Sequence, residues 1–308
     1  MSINTEIMES SKIKDKKIKN LNTKYALDRI MKYIFLVSAT ISIISLVVIT
    51  GFVFYKGSKP FLTEGYSIIS FLTGTEWVPS SKLFGIAPMI IASLLATFGS
   101  IVIGTSIGIL TAIFIAEIAP KKLSSKISSA VELLAGIPSV LYGMFGLAVI
   151  VPGIQSIFNL PKGQSLLAVI LVLSIMMLPT IVSVSETAIR SVDNAYKEGS
   201  YALGASKIET IFKVILPAAK SGILAAVVLG IGRALGETMA VILVAGNSPT
   251  IPTSITDSVR PLTTNIALEM GYAYGTHQEM LFATGVVLFT FILILNIVLN
   301  KITKKAVK

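Results

Sequence analysis

Long apolar stretches alternate with shorter polar ones along most of the chain. Six of the apolar stretches are long enough to cross a bilayer, which takes roughly 20 helical residues at 1.5 Å per residue. They cover residues 33–55, 86–115, 130–151, 165–184, 223–245 and 280–299. The pattern therefore predicts an all-α integral membrane protein with six transmembrane helices.

Proline interrupts two of these stretches. Pro138 lies in the sequence GIPS within the third stretch, and Pro179 lies within the fourth. Because proline lacks a backbone N–H and its ring clashes with the preceding turn, we expect a kink at Pro138 and helix breaks near both prolines. Such breaks would present backbone donors inside the membrane.

The polar segments differ in their content of lysine and arginine. Residues 1–32, 116–129, 185–222 and the C-terminus are rich in these residues, whereas the alternate segments carry fewer. Basic loops are typical of the cytoplasmic side of a membrane. We therefore expect both termini in the cytoplasm, with residues 1–32 forming a retained basic tail ahead of a membrane domain at residues 33–308.

Composition agrees with a membrane protein and argues against several other classes. The chain is 53% hydrophobic and 14% charged, with a mean hydropathy of +0.82. It has no cysteine and a single histidine, His277, so we expect neither a metal site nor a bound cofactor. The net charge of +10 is scattered between apolar stretches, which favours contact with membrane lipid and no nucleic-acid partner.

Aromatic residues cluster in the segment before the second stretch. Phe61, Tyr66, Phe71 and Trp77 are all found there. Because aromatic rings suit the boundary between lipid and water, we expect these four to lie at the membrane surface.

Small residues recur at every fourth position through the second stretch. The series is Ala92, Ala96, Ser100, Gly104, Gly108, Ala112 and Ala116. Such a series follows one flank of a helix and lets a neighbouring helix approach closely, so it predicts a packing seam. The alternative is that Ser100, Thr105 and Ser106 line a pathway.

Two full charges stand in the fifth stretch, within GIGRALGETMAVILVAG at residues 230–246. In a continuous helix Arg233 lies near the middle of the hydrocarbon layer, and Glu237 lies on the same face. A central arginine costs at least about 2.5 kcal/mol on insertion scales, so a use for it is expected. Either the two residues form a buried pair that fixes helix packing, or Arg233 contacts an anion and Glu237 orients it.

The segment at residues 190–222 is too polar to span a membrane. Its pattern predicts a short helix at residues 194–203, a break at Gly204 and a second helix at 207–215 that stops before Pro217. Two short helices at a sharp angle would form a projecting elbow.

Within this segment Glu198, Gly199, Ser200, Gly204, Leu216 and Pro217 have the spacing of a known motif. The segment resembles the cytoplasmic loop of ABC importer permeases, with Gly-Ser in place of Ala-Ala. The resemblance implies the type I importer permease fold, in which residues 190–220 form a helix-turn-helix coupling loop. In that family the loop inserts into a separate ATPase subunit.

Five further sequences resemble the phosphate-permease branch of that family, the PstC type. They are AGIPSVLYG at 135–143, MMLPTI at 176–181, GRALGETMAV at 232–241, NIALEMG at 265–271 and LFATG at 281–285. The resemblance implies inward transport of phosphate across a prokaryotic cell membrane. It also implies three kinds of partner: a homologous PstA-like permease that completes a heterodimer, two copies of a PstB-like ATPase, and a PstS-like extracytoplasmic binding protein.

Arg233 is the expected anion contact in this interpretation. Glu237, Thr238, Ser139, Tyr142 and Thr180 are the other residues expected along the substrate pathway, because a phosphate that leaves water needs fixed polar groups. Other oxyanions, such as sulfate or molybdate, remain alternatives, since arginine does not distinguish tetrahedral oxyanions.

The chain is not expected to be an enzyme. It contains no Gly-Lys dipeptide and hence no P-loop, and no polar pocket with a catalytic set of residues is evident. Two rival functions remain open: a secondary anion transporter driven by a gradient, and a membrane scaffold that reports external phosphate to a sensor kinase.

Overall fold

A computed structural model describes the backbone of residues 2–307 and the side chains of residues 27–299 and 301. The chain is mostly helical. The α-helices are α1 Ser2–Thr63, α2 Ile68–Thr73, α3 Ala87–Ile113, α4 Lys121–Ala135, α5 Ser139–Phe145, α6 Val151–Phe158, α7 Leu166–Arg190, α8 Asn194–Ala202, α9 Lys207–Thr210, α10 Leu216–Gly236, α11 Met239–Val244, α12 Leu262–Glu269 and α13 Thr276–Val307. A short antiparallel hairpin pairs β1 Trp77–Val78 with β2 Leu83–Phe84.

Six helical segments are long and apolar enough to cross a membrane, as the sequence predicts. They are Leu27–Thr63, Ala87–Ile118, Ser139–Phe158, Leu166–Arg190, Lys207–Gly236 and Thr276–Leu299.

The third span differs from its predicted bounds of 130–151. Pro138 does not kink one long helix, because its backbone is extended at φ −57° and ψ 139° and a new helix, α5, begins after it. Residues Lys121–Ala135 form the separate helix α4, and the span itself is Ser139–Phe158. At Pro179 the expected break is absent, since α7 runs through this proline as one helix.

Three π-helical turns interrupt the spans, and each is followed by one residue and then a proline. The turns are Phe114–Ile118 before Pro120, Gly146–Ile150 before Pro152, and Ile211–Ile215 before Pro217. A proline ring clashes with the carbonyl four residues earlier in an α-helix, and a π turn widens the backbone there. The prediction that the helix stops before Pro217 is therefore wrong: the chain passes through the third π turn directly into α10.

Helix α7 is the most deeply buried of the membrane helices. It packs along the small-residue series of α3, which confirms the predicted seam. A Cβ added at Gly108 would stand 2.7 Å from the Ile181 side chain, and one at Gly104 would stand 3.2 Å from the Ser174 carbonyl oxygen. Ser100 is fully buried in this seam, where its hydroxyl donates to its own helix at the Thr97 carbonyl.

The chain divides into two compact units, Met1–Tyr55 and Lys56–Lys308. The first unit is part of α1, and its described side chains are mostly exposed and apolar. The second unit contains all the other elements. Its two ends are named here by their landmarks: the elbow end, with residues 190–215, and the hairpin end, with β1 and β2.

The hairpin end buries aromatic residues that were predicted to lie at a membrane surface. Trp77 is only 5% exposed and Phe71 only 4%. The indole N–H of Trp77 donates to Glu269 Oε2 at 2.7 Å, so a buried carboxylate satisfies this polar group inside the protein.

Candidate functional site

Arg233 lies in the last turn of α10, and the helix ends three residues later at Gly236. Glu237 has an extended backbone, with φ −72° and ψ 129°, and α11 begins only at Met239. The predicted continuous helix over 223–245 is therefore wrong, and Arg233 and Glu237 do not share a helical face. Glycine is a poor helix former, so Gly236 favours the end of α10. Glu237, the next residue, is then placed to cap α11.

Glu237 uses its groups to hold this break in place. Its Oε1 accepts from the Ala240 N–H at 3.0 Å, which caps the first turn of α11. Its carbonyl oxygen accepts from Thr263 Oγ1 at 3.1 Å, which ties the break to α12. Thr238 donates back to the Gly236 carbonyl at 3.3 Å. The carboxylate of Glu237 thus acts on the backbone rather than on Arg233.

Arg233 is half-buried. Among the described side chains, no ion pair or hydrogen bond joins its guanidinium to an acceptor, so the buried Arg–Glu pair considered from the sequence is not formed. A Cβ added at Gly232 or Gly236 would meet nothing within 4 Å. The side of α10 that carries these glycines is therefore open in this chain, and the cation is not sealed between helices.

Tyr142 is one predicted pathway residue that acts on the same site as Arg233. The two side chains are near enough to interact electrostatically. The Tyr142 hydroxyl donates to the Leu134 carbonyl at 2.7 Å, which bridges the break at Pro138 from α5 back to the end of α4. Because this bond uses the only proton of the hydroxyl, the oxygen remains an acceptor and not a donor toward Arg233.

The other predicted pathway residues lie on neighbouring elements. Ser139 is the first residue of α5 and is half-buried. Helix α5 packs on α11 so closely that a Cβ added at Gly143 would stand 2.7 Å from the Ala240 Cα. Thr180 is half-buried in the unbroken α7, so no free helix end accompanies it. The structure thus packs α5 against α11, and α7, which carries Thr180, against α10 and α11.

The elbow has the predicted two-helix form, with α8 and α9 on either side of Gly204. Gly204 has a φ of +84°, a conformation that favours glycine. Glu198 and Gly199 are exposed on α8, and a Cβ at Gly199 would meet nothing within 4 Å. The Ser200 hydroxyl lies 2.9 Å from Thr210 Oγ1, so it holds the two arms together.

The elbow also presents apolar side chains on a polar segment. Leu203 is 90% exposed at the turn, and Ile208 and Phe212 are more than half exposed on the second arm. Leu216 is half-buried and Pro217 exposed where the elbow passes into α10. Exposed apolar side chains on a well-ordered turn are typical of a surface that binds a partner protein.

Two charged clusters lie outside the predicted pathway and coupling residues. At the hairpin end, the buried Glu269 receives Arg260 Nη1 at 2.7 Å, Trp77 Nε1 at 2.7 Å and His277 Nε2 at 2.8 Å. At the elbow end, Lys197 pairs with Glu117 at 2.6 Å. Arg260 and His277 lie nine and eight residues from Glu269 in sequence. Trp77 lies 192 residues from Glu269, and Lys197 lies 80 residues from Glu117, so no local pattern links these two pairs.

Comparison with known proteins gives a consistent result. Residues 104–308 match the family described as binding-protein-dependent transport system inner membrane component. The chain is 44% identical to the probable ABC transporter permease protein YqgH of Bacillus subtilis over 266 residues, 84% of this chain and 86% of that protein. It is 35% identical to the phosphate transport system permease protein PstC of Pasteurella multocida over 272 residues, 82% of this chain and 83% of that protein.

Solved structures show the same fold at lower identity. A bacterial alginate ABC transporter chain aligns with a TM-score of 0.67 at 18% identity, over 90% of this chain and 95% of that one. A chain of the MetNI methionine ABC transporter aligns with a TM-score of 0.59 at 19% identity, over 76% of this chain and all of that one. The type I importer permease fold expected from the resemblance is confirmed. The chain is a multi-pass membrane protein that belongs to the binding-protein-dependent transport system inner membrane components, the permease subunits of ABC importers.

Proposed function

We propose that this permease carries inorganic phosphate inward, and that Arg233 contacts the anion in the membrane. The observation that carries the proposal is an open, half-buried guanidinium, at the break between α10 and α11, for which the described side chains provide no acceptor. The similarity to permeases named for phosphate transport supports this choice of substrate.

An arginine suits this task for physical reasons. Its charge persists at every relevant pH, and its planar fork matches two oxygens of a tetrahedral oxyanion. A phosphate that leaves water must exchange its hydration for fixed donors, and an arginine that is not already paired needs no ion pair broken first. Glu237 supports the site indirectly, because it fixes the break next to which Arg233 stands.

The partners follow from the same proposal. A PstA-like permease forms a heterodimer with this chain and faces the open side of α10. Two PstB-like ATPase subunits bind the elbow at Glu198–Gly204 and move it as a rigid body. A PstS-like binding protein delivers phosphate at the hairpin end, which is extracytoplasmic, while both termini and the elbow are cytoplasmic. The exposed apolar tip at Leu203 supports the ATPase contact.

Uptake by the reconstituted complex tests the substrate and the energy source together. The chain is co-expressed with its permease and ATPase partners, placed in vesicles loaded with ATP, and supplied with binding protein and radiolabelled phosphate. We expect uptake that needs ATP and that unlabelled phosphate reduces more strongly than equal sulfate or molybdate. Stronger competition by sulfate or molybdate would assign another oxyanion.

Two other outcomes would replace the proposal with a different function. Uptake by the chain alone, without nucleotide and driven by a gradient, would identify a secondary transporter. Phosphate-dependent signalling that persists without any uptake in the Arg233→Gln variant would identify a scaffold for a sensor.

A further inference from the structure

The end of α3 has a backbone defect that its sequence explains. In the π turn Phe114–Ile118, the Ala119 N–H bonds to the Phe114 carbonyl, five residues back. The next such bond would join residue 120 to Ile115, but residue 120 is a proline and has no N–H. The Ile115 carbonyl, in a residue that is only 1% exposed, is therefore left without a backbone donor.

Arg190, at the end of α7, supplies the missing donor. Its Nη2 donates to the Ile115 carbonyl at 3.1 Å and to Ser124 Oγ at 2.7 Å, and its Nε donates to Glu186 Oε1 at 2.8 Å. One side chain thus joins the π turn of α3 to the first turns of α4 and to α7. A buried carbonyl without a donor is destabilising, so this contact stabilises the π turn.

The elbow reaches the same π turn with a second cation. Lys197, on α8, donates to Glu117 Oε1 at 2.6 Å, and the two side chains are 20% and 8% exposed. Glu117 lies two residues after Ile115, so the π turn is held by Arg190 on one side and by Lys197 on the other. Ser200, also on α8, contacts Thr210 on the opposite arm of the elbow, just before the third π turn.

The burial of Lys197–Glu117 separates it from the other ion pair of the elbow. Lys213 and Glu209 are 74% and 49% exposed at 3.2 Å, and exposed pairs contribute little. Breaking a pair as buried as Lys197–Glu117 leaves a charge in a poorly solvated place. Separating α8 from Glu117 is therefore unfavourable.

We propose that Lys197 and Glu117 are positioning residues for energy coupling: they join the elbow to the end of α3, so that movement of α8 by the ATPase also moves the second membrane span. The joint adds α3 to the helices connected to the elbow, which the chain already joins to α7 before it and to α10 after it. The inference rests on membership in the importer permease family and holds for whichever anion is carried.

The test compares transport with ATP consumption in the reconstituted complex. Glu117→Gln, Lys197→Glu and the exchange Glu117→Lys with Lys197→Glu are prepared with their partner subunits, and anion uptake and ATP hydrolysis are measured on the same vesicles. We expect both single variants to hydrolyse ATP while uptake per ATP falls about five-fold or more, as loss of a coupling interaction predicts. The exchange variant restores most of the lost ratio, because it re-forms the pair with opposite polarity.

Lys213→Gln is the matched control, because it breaks the exposed pair of the same elbow. It leaves uptake per ATP unchanged. An unchanged ratio in Glu117→Gln, or failure of the exchange variant to recover the ratio lost in Lys197→Glu, would overturn the proposal.

A second measurement follows the joint in the assembled complex without relying on transport. Because the chain has no cysteine, spin labels at Tyr196→Cys on α8 and Ser106→Cys on α3 report the distance between the elbow and α3 without any further substitution in this chain. We expect ATP to change this distance less in the labelled chain that keeps Glu117 than in the labelled chain with Glu117→Gln. Equal changes in both would contradict a joint between the elbow and α3.

Labelled phosphate and labelled sulfate are both offered in the uptake assay, so an error about the anion would not be mistaken for loss of coupling.

Discussion

The two ends of the helical bundle both carry a charged cluster that joins distant segments, but the clusters differ in structure. At the hairpin end, three donors from the hairpin, the segment before α12 and the start of α13 meet one buried carboxylate, Glu269. At the elbow end, the charges are shared among several partners, and they meet at a π turn next to a proline.

This difference indicates different tasks. Glu269 binds three donors at once, and moving any of the three segments would break one of these contacts. The hairpin-end cluster therefore holds the three segments in one arrangement. At the elbow end, side chains contact the π turn from two sides, and its backbone already departs from regular α-helical hydrogen bonding. Such turns are frequent at functional sites. We expect substitutions at the hairpin end to change stability and substitutions at the elbow end to change the coupling of ATP to transport.

Glu269→Ala is expected to have the largest effect. It leaves Arg260 buried without its partner and removes the acceptor of the Trp77 indole, which together cost about 3–5 kcal/mol. The measurement is the thermal unfolding midpoint of the purified complex in detergent. Whatever complex still folds should keep a normal ratio of uptake to ATP hydrolysis, and a reduced ratio at normal stability would erase the distinction between the two ends.

Gly204→Val is expected to act next most strongly, at the elbow. A β-branched residue at φ +84° costs about 1–3 kcal/mol locally and would change the angle between α8 and α9. We expect the unfolding midpoint of the membrane bundle to change little, while less ATPase subunit is recovered when the tagged chain is purified. Normal recovery of the ATPase would show that the angle of the elbow is unimportant for docking.

Gly199→Ala is expected to have the smallest effect, and with the opposite sign. The new methyl group meets nothing within 4 Å, and alanine in place of glycine inside a helix stabilises it by about 1 kcal/mol. The variant also restores part of the usual loop motif. Uptake should equal or slightly exceed that of the native chain, and a clear loss would mean that a partner subunit packs against the bare backbone at this position.

Much of the fold could be predicted from the sequence, because a bilayer imposes a strong length and polarity rule on each span. The six spans, the small-residue seam on α3 and the two-helix elbow all follow from patterns within one segment. The π turns were missed, although each precedes a proline at a fixed spacing. That spacing is a usable signal: at Pro217 it marks a widened turn in a continuing helix, where a helix end was predicted.

Less of the candidate site could be predicted. Arg233 was singled out as a charge in an apolar stretch, but its relation to Glu237 depends on a helix end that glycine and capping decide locally. Glu269 meets Trp77 from a position 192 residues away in sequence, and Lys197 meets Glu117 across 80. Only the packing of α3, α7, α12 and α13 brings these pairs together.

The central claim is that the open guanidinium of Arg233 meets the travelling anion, and one variant tests it most directly. Arg233→Gln keeps a polar side chain of similar length but removes the charge, and radiolabelled phosphate uptake into ATP-loaded vesicles is compared with that of the native complex. The account predicts that uptake falls to background while the partner subunits still co-purify with the tagged chain. Normal uptake by Arg233→Gln in an intact complex would contradict it and assign the charge to helix packing.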